Sequence, residues 1–100
     1  MNIGIDIVRI SRVEEMLRDP VRAGEVFAPE EMTADIQTMA GRFAAKEAYF
    51  KAVGEKRDWK SVLVLKHEGG MPYLVCPEEN RAKVSISHDG DYATAIVLIE

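Results

Sequence analysis

The chain has little of what several classes of protein depend on. It has a single cysteine, Cys76, among 100 residues, so no disulfide framework can form within it. Its apolar runs are far shorter than the roughly 20 residues that a membrane-spanning helix needs. Its first residues carry no basic start followed by an apolar signal segment. We therefore expect a cytoplasmic protein that does not insert into a membrane, with Cys76 as a small buried side chain.

Basic residues are also too few for general binding to nucleic acids. The chain has 13 lysines and arginines against 17 acidic residues, which gives a net charge of −4, whereas binding to nucleic acids needs a dominant basic surface. The two histidines have no cysteine partners at the spacing of a standard zinc site. A glycine-rich phosphate loop and a nucleophile elbow are missing as well. These absences exclude several common kinds of site.

What remains is typical of one small ordered domain, residues 1–100. Hydrophobic residues make up 47% and charged residues 30% of the chain, and about 60–70% of the unfolded surface can be buried at this size. The order of the predicted elements along the chain, one strand followed by helices and then four strands, favours an α+β fold with a mostly antiparallel sheet packed on one long central helix. The predicted elements are a strand at 2–9, a helix opened by a capping box at Ser11 and stopped by Asp19–Pro20, a helix start at Pro29, a long helix from a cap at Thr33 to Gly54, strands at 61–67 and 71–76, a polar crossing at 77–81, and strands at 83–88 and 92–100.

The long helix is predicted to have two apolar faces. Four alanines fall on one narrow stripe, and Phe43 and Phe50 stand together well away from it. The charged edges between the faces carry Arg42 and Lys46 on one side, and Glu47 and Lys51 on the other. A helix without a broad solvated face is usually wedged between two surfaces, and one of these can belong to another subunit.

The first predicted strand contains a carboxylate in an apolar setting. Three isoleucines share one face, and Asp6 lies on the other face, two residues after Gly4. Leaving such a group unpaired costs several kcal/mol, so Asp6 must lie near the strand end, pair with a base or bind a metal. On the residues alone, a structural salt bridge is the preferred interpretation.

Arginines cluster in the first quarter of the chain, at positions 9, 12, 18 and 22, with acidic residues interleaved. This pattern leaves open a solvated helix of mixed charge or a patch for an acidic protein partner. His88 ends a predicted strand beside a turn, where a lone histidine is more often structural or exposed.

Three stretches of the sequence together resemble one family. They read GIDIVRISRVEEML at 4–17, GRFAAKEAYFKAVG at 41–54 and VSISHDGDYATAIVLIE at 84–100. In this order they resemble the small bacterial 4′-phosphopantetheinyl transferases, the holo-[acyl-carrier-protein] synthases. The stretch RFAAKEAxxKA is highly specific to that family, whereas GxDI or SISH alone would be weak. The resemblance covers close to half of the chain.

The resemblance implies a 4′-phosphopantetheinyl transferase-like fold and a Mg²⁺-dependent reaction. The phosphopantetheine group of coenzyme A would pass to a serine of an apo acyl carrier protein, and adenosine 3′,5′-bisphosphate would leave. Asp6 and Glu47 match the family's metal positions, which reverses the preference for a simple salt bridge at Asp6. Lys51 matches a lysine beside the pyrophosphate, so these three residues are the candidate catalytic group. Whether the serine proton passes to Glu47 directly or through a metal-bound water stays open.

The resemblance also predicts the partners of the site. The residues expected at coenzyme A are Arg42, Lys46, Lys51, Gly54, Pro72 and His88. An acidic acyl carrier protein would dock on the arginines of the first helix, with Arg12 leading and Arg9 and Arg18 behind it. The family assembles as a homotrimer with active sites at subunit interfaces, which would suit a helix with two apolar faces.

The chain departs from the family pattern in three places. Gly54 is followed by a charged loop, Met71 stands where the family has a lysine before Pro72, and the stretch between residues 27 and 42 is short. Two alternatives therefore stay open beside the transferase. One is a non-catalytic homologue that binds acyl carrier protein or coenzyme A, and the other is a structural oligomerisation module whose helix edges are ion pairs.

Overall fold

The first and last strands of the chain pair with each other. The computed structural model describes residues 1–76 and 81–100. In order, its elements are β1 (Asn2–Arg9), α1 (Ile10–Leu17), α2 (Pro20–Val26), a 3₁₀ turn (Pro29–Glu31), α3 (Ile36–Val53), a second 3₁₀ turn (Trp59–Ser61), β2 (Leu63–Lys66), β3 (Pro72–Val75), β4 (Ala82–Asp89) and β5 (Tyr92–Ile99). Of the helices in this described part, none is both long and apolar enough to cross a membrane.

The strands of the described residues form two antiparallel sheets. β5 is the central strand of a three-stranded sheet in the order β1-β5-β4, while β2 and β3 form a separate two-stranded sheet. α3 packs across β1 and β5. The predicted α+β class, the antiparallel pairing and the packing on one long helix are confirmed. The division into two sheets was not predicted, because each strand's choice of partner is a long-range property.

The backbone of β1 lies directly against the backbone of α3. Three alanines of α3, Ala44, Ala45 and Ala48, have no exposed surface. A Cβ atom added at Gly4 would overlap the Ala48 carbonyl oxygen and would lie 2.7 Å from the Ala52 nitrogen. The alanine stripe therefore faces β1 at close range, and Gly4 is the residue that permits the approach.

The predicted alternation along β1 is confirmed, and its isoleucines point away from α3. Gly4 and Val8 are buried, whereas Ile3, Ile5 and Ile7 are between 62% and 66% exposed. On the neighbouring strand Ile96, which is opposite Ile5, is 38% exposed. We call these four side chains the outer isoleucine face. The small residues face the helix because only they let the two backbones meet.

Two predicted helix starts are wrong. α1 begins at Ile10, directly after β1, and its N-cap Arg9 makes no side-chain cap, so Ser11 lies inside the helix. The Ile10 nitrogen donates to the Asp91 carbonyl oxygen at 2.8 Å instead. α3 begins at Ile36, and the Asp35 carboxylate rather than Thr33 caps it, accepting from the Gln37 nitrogen at 3.1 Å. Asp35 has the stronger acceptor, and its bond from the Thr38 hydroxyl lowers its pKa.

The predicted ends and turns agree with the structure more closely. Asp19–Pro20 stops α1, and Asp19 also caps α2. α3 ends at Val53, and its C-cap Gly54 has a φ of 87°, in the left-handed region that favours glycine. The residue at the turn between β4 and β5 is Gly90, with φ 57°. The helix start predicted at Pro29 is a single 3₁₀ turn. The polar crossing predicted at 77–81 lies outside the described residues, except for Arg81.

We predict that Gly4→Ala lowers the free energy of unfolding by roughly 3 kcal/mol, because the new methyl group meets helix backbone that cannot turn aside. Gly24→Ala in α2 is the matched control, since no atom lies within 4 Å of its added Cβ, and this change should add up to about 1 kcal/mol through helix propensity. Urea unfolding followed by circular dichroism at one protein concentration measures both. Equal stability of the two variants would contradict the close backbone contact.

Candidate active site

Asp6 is bonded to Lys51 where β1 crosses α3. The Lys51 ammonium donates to Asp6 Oδ1 at 3.2 Å and to the Ile5 carbonyl oxygen at 2.9 Å. Asp6 is partly buried and shares its strand face with Gly4 and Val8. The salt bridge favoured on the residues alone is therefore present in this structure, and it fixes the lysine that the resemblance assigns to the pyrophosphate.

Glu47 enters a cleft of about 450 Å³ between the first two helices and α3. We call this the helical cleft. The residues that line this cleft include Arg12 of α1, Val8 of β1 and Trp59, which follows the loop after α3. The Lys56 ammonium lies 3.8 Å from Glu47 Oε1. The cleft therefore presents a carboxylate together with nearby cations.

The structure brings the predicted catalytic group together. Lys51 lies one turn after Glu47 on the same side of α3, and it binds Asp6 on β1. Val8, two residues after Asp6 on the same strand face, lines the helical cleft that holds Glu47. Asp6, Glu47 and Lys51 thus lie on one side of the contact between β1 and α3.

Three of the residues predicted at coenzyme A meet elsewhere, in a second cleft of about 170 Å³. Arg42 of α3, Pro72 of β3 and His88 of β4 line it, with Lys66 of β2 beside them. We call this the hairpin cleft. Burial lowers the pKa of the Arg42 guanidinium, and the charge of Glu31 opposes that shift; an arginine stays protonated nonetheless. The hairpin cleft is therefore a small cationic site.

Among the described residues, the two clefts share no lining residue. Glu47 and Arg12 line the helical cleft, and Arg42, Pro72 and His88 line the hairpin cleft. The lining residues of both clefts leave out Asp6, Lys46, Lys51 and Gly54.

Lys46 lies beneath the surface, where it has no direct access to a ligand such as coenzyme A. Its side chain has no exposed surface. Its ammonium donates to Glu31 Oε1 at 2.9 Å, to the Trp59 carbonyl oxygen at 2.9 Å and to the Val62 carbonyl oxygen at 2.8 Å. Burial lowers the pKa of Lys46, while the bond to Glu31 raises it. All three N–H bonds are used inside the protein.

Glu31 is the structural residue that sequence reasoning missed. It is fully buried and is the partner of Lys46. Two signals could have found it. A lysine flanked by alanines on a buried helix needs an acidic partner, and Glu31 stands three residues after Ala28, the position at which a glutamate side chain bonds back to the start of a turn.

The arginines predicted to bind a protein partner are all exposed. Arg12 lines the helical cleft, and the Arg9 guanidinium lies 5.1 Å from the centre of the Tyr92 ring. Arg18 follows the last turn of α1. Their surface position suits a docking role, which stays a prediction.

The donor set of the site fits a hard cation. Asp6 and Glu47 offer carboxylate oxygens, which Mg²⁺ prefers, and this ion commonly uses only one or two carboxylates besides phosphate and water. Over residues 1–76 and 81–100, no cluster of three or more histidine, cysteine, aspartate or glutamate side chains could hold a metal by itself. The residues therefore suit an ion that arrives with a phosphate-bearing substrate.

A family model described as the 4′-phosphopantetheinyl transferase superfamily matches residues 2–97. The chain belongs to this family. It is 39% identical to the holo-[acyl-carrier-protein] synthase of Chlorobium chlorochromatii (strain CaD3), over 100% of both chains. It is 38% identical to that of Anoxybacillus flavithermus (strain DSM 21510 / WK1), over 100% of this chain and 95% of the relative. The predicted family is confirmed.

Solved structures of transferases of this family have the same fold. Helicobacter pylori holo-[acyl-carrier-protein] synthase in complex with coenzyme A superimposes with a TM-score of 0.86 at 27% identity, covering 98% of this chain and 99% of that one. The Bacillus anthracis str. Ames synthase in complex with CoA (3',5'-ADP) also gives 0.86, at 33% identity, covering 98% and 94%. The predicted 4′-phosphopantetheinyl transferase-like fold is confirmed.

Proposed function

We propose that the chain transfers the 4′-phosphopantetheine group of coenzyme A to a serine of an apo acyl carrier protein. One observation of the structure carries this proposal beyond family membership: Asp6, Glu47 and Lys51 lie together on one side of the contact between β1 and α3. The relatives named above are holo-[acyl-carrier-protein] synthases, and two structural neighbours hold coenzyme A or part of it. The cytoplasmic location expected from the sequence stays a prediction.

The reaction requires neutralisation of charge more than covalent help from the protein. The serine oxygen bonds to the phosphorus that carries the pantetheine arm, the bond from that phosphorus to the bridging oxygen breaks, and adenosine 3′,5′-bisphosphate leaves. Asp6 and Glu47 would hold Mg²⁺, which when bound offsets the negative charge of the pyrophosphate. Lys51 adds positive charge on the leaving side and holds Asp6 at 3.2 Å. Glu47 takes the serine proton, directly or through one water molecule.

We propose that the enzyme is a homotrimer whose active sites are shared between subunits. Two features support this assembly. Glu47 lines the helical cleft, whereas Arg42, Pro72 and His88 line the hairpin cleft, and the two clefts have no described lining residue in common, so one chain presents these groups in two separate places. The outer isoleucine face also leaves Ile3, Ile5 and Ile7 more than half exposed, and burial of such side chains against another copy is favourable.

The acyl carrier protein would dock on the exposed arginines of α1. Arg12 lines the same helical cleft as Glu47, so a partner bound at Arg12 can present its serine to that carboxylate. Arg9 and Arg18 extend the positive surface toward an acidic partner, which raises the association rate more than the final affinity. Arg42, Pro72 and His88, which line the hairpin cleft, form the part assigned to coenzyme A.

The experiment that tests this function is a mass-shift assay. Incubation with apo acyl carrier protein, coenzyme A and Mg²⁺ should add one phosphopantetheine group to the carrier, as mass spectrometry measures. A chelator should stop the reaction, and excess Mg²⁺ should restore it. No mass gain, while an established synthase succeeds in parallel, would reject the transferase. Binding of coenzyme A without transfer would favour the non-catalytic homologue, and no binding would favour the structural module.

We expect Asp6→Ala and Glu47→Gln each to lower turnover by about 100-fold or more, because each removes a carboxylate that acts at the reacting phosphate. Glu25→Gln is the matched control, since Glu25 lines the same cleft as Glu47 but has no assigned role, and its turnover should stay near that of the wild type. Thermal unfolding checks that every variant is folded. Near-normal turnover of a folded Asp6 or Glu47 variant would remove that residue from the site.

We expect Ile5→Lys to convert the trimer to monomers and to abolish transfer, since a charge replaces an apolar side chain at the proposed contact. Val21→Lys changes an equally exposed apolar residue of α2 and should leave both properties unchanged. Sedimentation velocity measures the assembly, and the mass-shift assay measures transfer. A wild-type chain that is an active monomer would refute the shared site.

A further inference from the structure

Glu31 joins separate parts of the chain at one buried point beside the hairpin cleft. Its Oε1 accepts from the Ala28 nitrogen at 2.9 Å and from the Lys46 ammonium at 2.9 Å. Its Oε2 accepts from the Val64 nitrogen of β2 at 2.8 Å. Its backbone carbonyl oxygen accepts from Arg42 Nη1 of α3. The 3₁₀ turn, the hairpin and the long helix therefore all meet at this residue.

The hairpin cleft depends on how these parts are placed. One wall is Arg42 on α3, and another contains Val64 and Lys66 on β2. Because β2 belongs to the separate two-stranded sheet, the hydrogen bonds of the main sheet do not fix it relative to α3. Glu31 supplies a direct link, since its carboxylate binds Val64 while its carbonyl oxygen binds Arg42. In this buried setting such bonds are strong and directional.

We propose that Glu31 is a positioning residue for anion recognition, and that its carboxylate holds residue 31 so that the carbonyl oxygen aims the Arg42 guanidinium into the hairpin cleft. An arginine has five N–H donors. Arg42 Nη1 donates to the Glu31 carbonyl oxygen, and because Arg42 lines the hairpin cleft, its other donors would meet the phosphate oxygens of a ligand bound there. A guanidinium already held in place loses less conformational entropy when a ligand binds. This inference rests on the proposed function, in which Arg42 binds coenzyme A.

Lys46 offers a matched control for a purely structural role. It bonds to the same carboxylate, and its other two bonds go to the carbonyl oxygens of Trp59 and Val62. Replacement of Lys46 therefore breaks the same ion pair but leaves the bonds of Glu31 to Val64 and Arg42 in place. Glu31→Gln instead changes the carboxylate that holds residue 31, and with it the carbonyl oxygen that binds Arg42.

The test is a double-mutant cycle on the full-length chain, with the dissociation constant of coenzyme A measured by calorimetry. Glu31→Gln should weaken binding by about tenfold, because an amide has only one acceptor oxygen and cannot accept from Ala28 and Lys46 on one side and from Val64 on the other, so that residue 31 no longer holds its carbonyl oxygen in place against Arg42. In the Arg42→Ala background the same change should have no further effect, because Glu31 acts through Arg42. Lys46→Met should change the affinity less than about twofold at a temperature where the variant is folded. In turnover, Glu31→Gln should raise the KM for coenzyme A and leave the KM for the carrier protein unchanged.

A different set of results overturns the proposal. Equal weakening by Glu31→Gln with and without Arg42, or equal weakening by Lys46→Met, would leave Glu31 a structural residue only. If Glu31→Gln does not fold, the double variant Glu31→Gln with Lys46→Met is measured instead, because it leaves no unpaired buried charge. The affinity of this double variant for coenzyme A is then compared with that of Lys46→Met alone. Wild-type chain that does not bind coenzyme A would reject the proposed function itself, whereas normal wild-type binding with a failed cycle rejects only the role of Glu31.

Discussion

A fully buried ion pair, Lys46 with Glu31, connects the helical part of this transferase to its hairpin. Removing two charges from water is costly, and the cost is offset only when both partners are fully hydrogen-bonded. Here the ammonium has three oxygen acceptors, and both carboxylate oxygens have N–H donors. Apolar packing alone is compatible with many positions of the hairpin relative to α3. These directional hydrogen bonds are compatible with one position. The loop after α3, β2 and the 3₁₀ turn at Pro29 all take their positions from this pair.

One helix serves both clefts because of where its charged residues fall. Arg42 and Glu47 are five positions apart on α3, which at 100° per residue directs them to different sides of the helix. Lys46 lies between them in sequence and points into the protein. The alanine stripe faces β1 at backbone contact, which fixes the orientation of the helix. Glu47 therefore opens into the helical cleft and Arg42 into the hairpin cleft.

What the sequence predicted well was local, and what it predicted poorly was long-range. Gly54 and Gly90 mark a helix end and a turn because positive φ is a property of the residue itself, and the Glu47–Lys51 spacing puts both side chains on one helix face. The helix starts predicted at Ser11 and Thr33 were wrong because other groups bond to the first turns of the helices: the Asp91 carbonyl oxygen accepts from the Ile10 nitrogen, and the Asp35 carboxylate caps α3. Glu31 was missed because its bonds reach residues 15 and 33 positions away, and no local pattern records such a pairing. The separate hairpin sheet was missed for the same reason.

The position of β5 has a consequence for how the protein forms during synthesis. β5 is the central strand, and both β1 and β4 pair with it. Until residues 92–99 have left the ribosome, the first strand has no strand to pair with, and the Asp6 carbonyl lacks its bond from the Thr94 hydroxyl at 2.7 Å. Contacts between residues so far apart in the chain form slowly. The strand that carries Asp6 therefore gains its neighbour in the sheet only when β5 has been made.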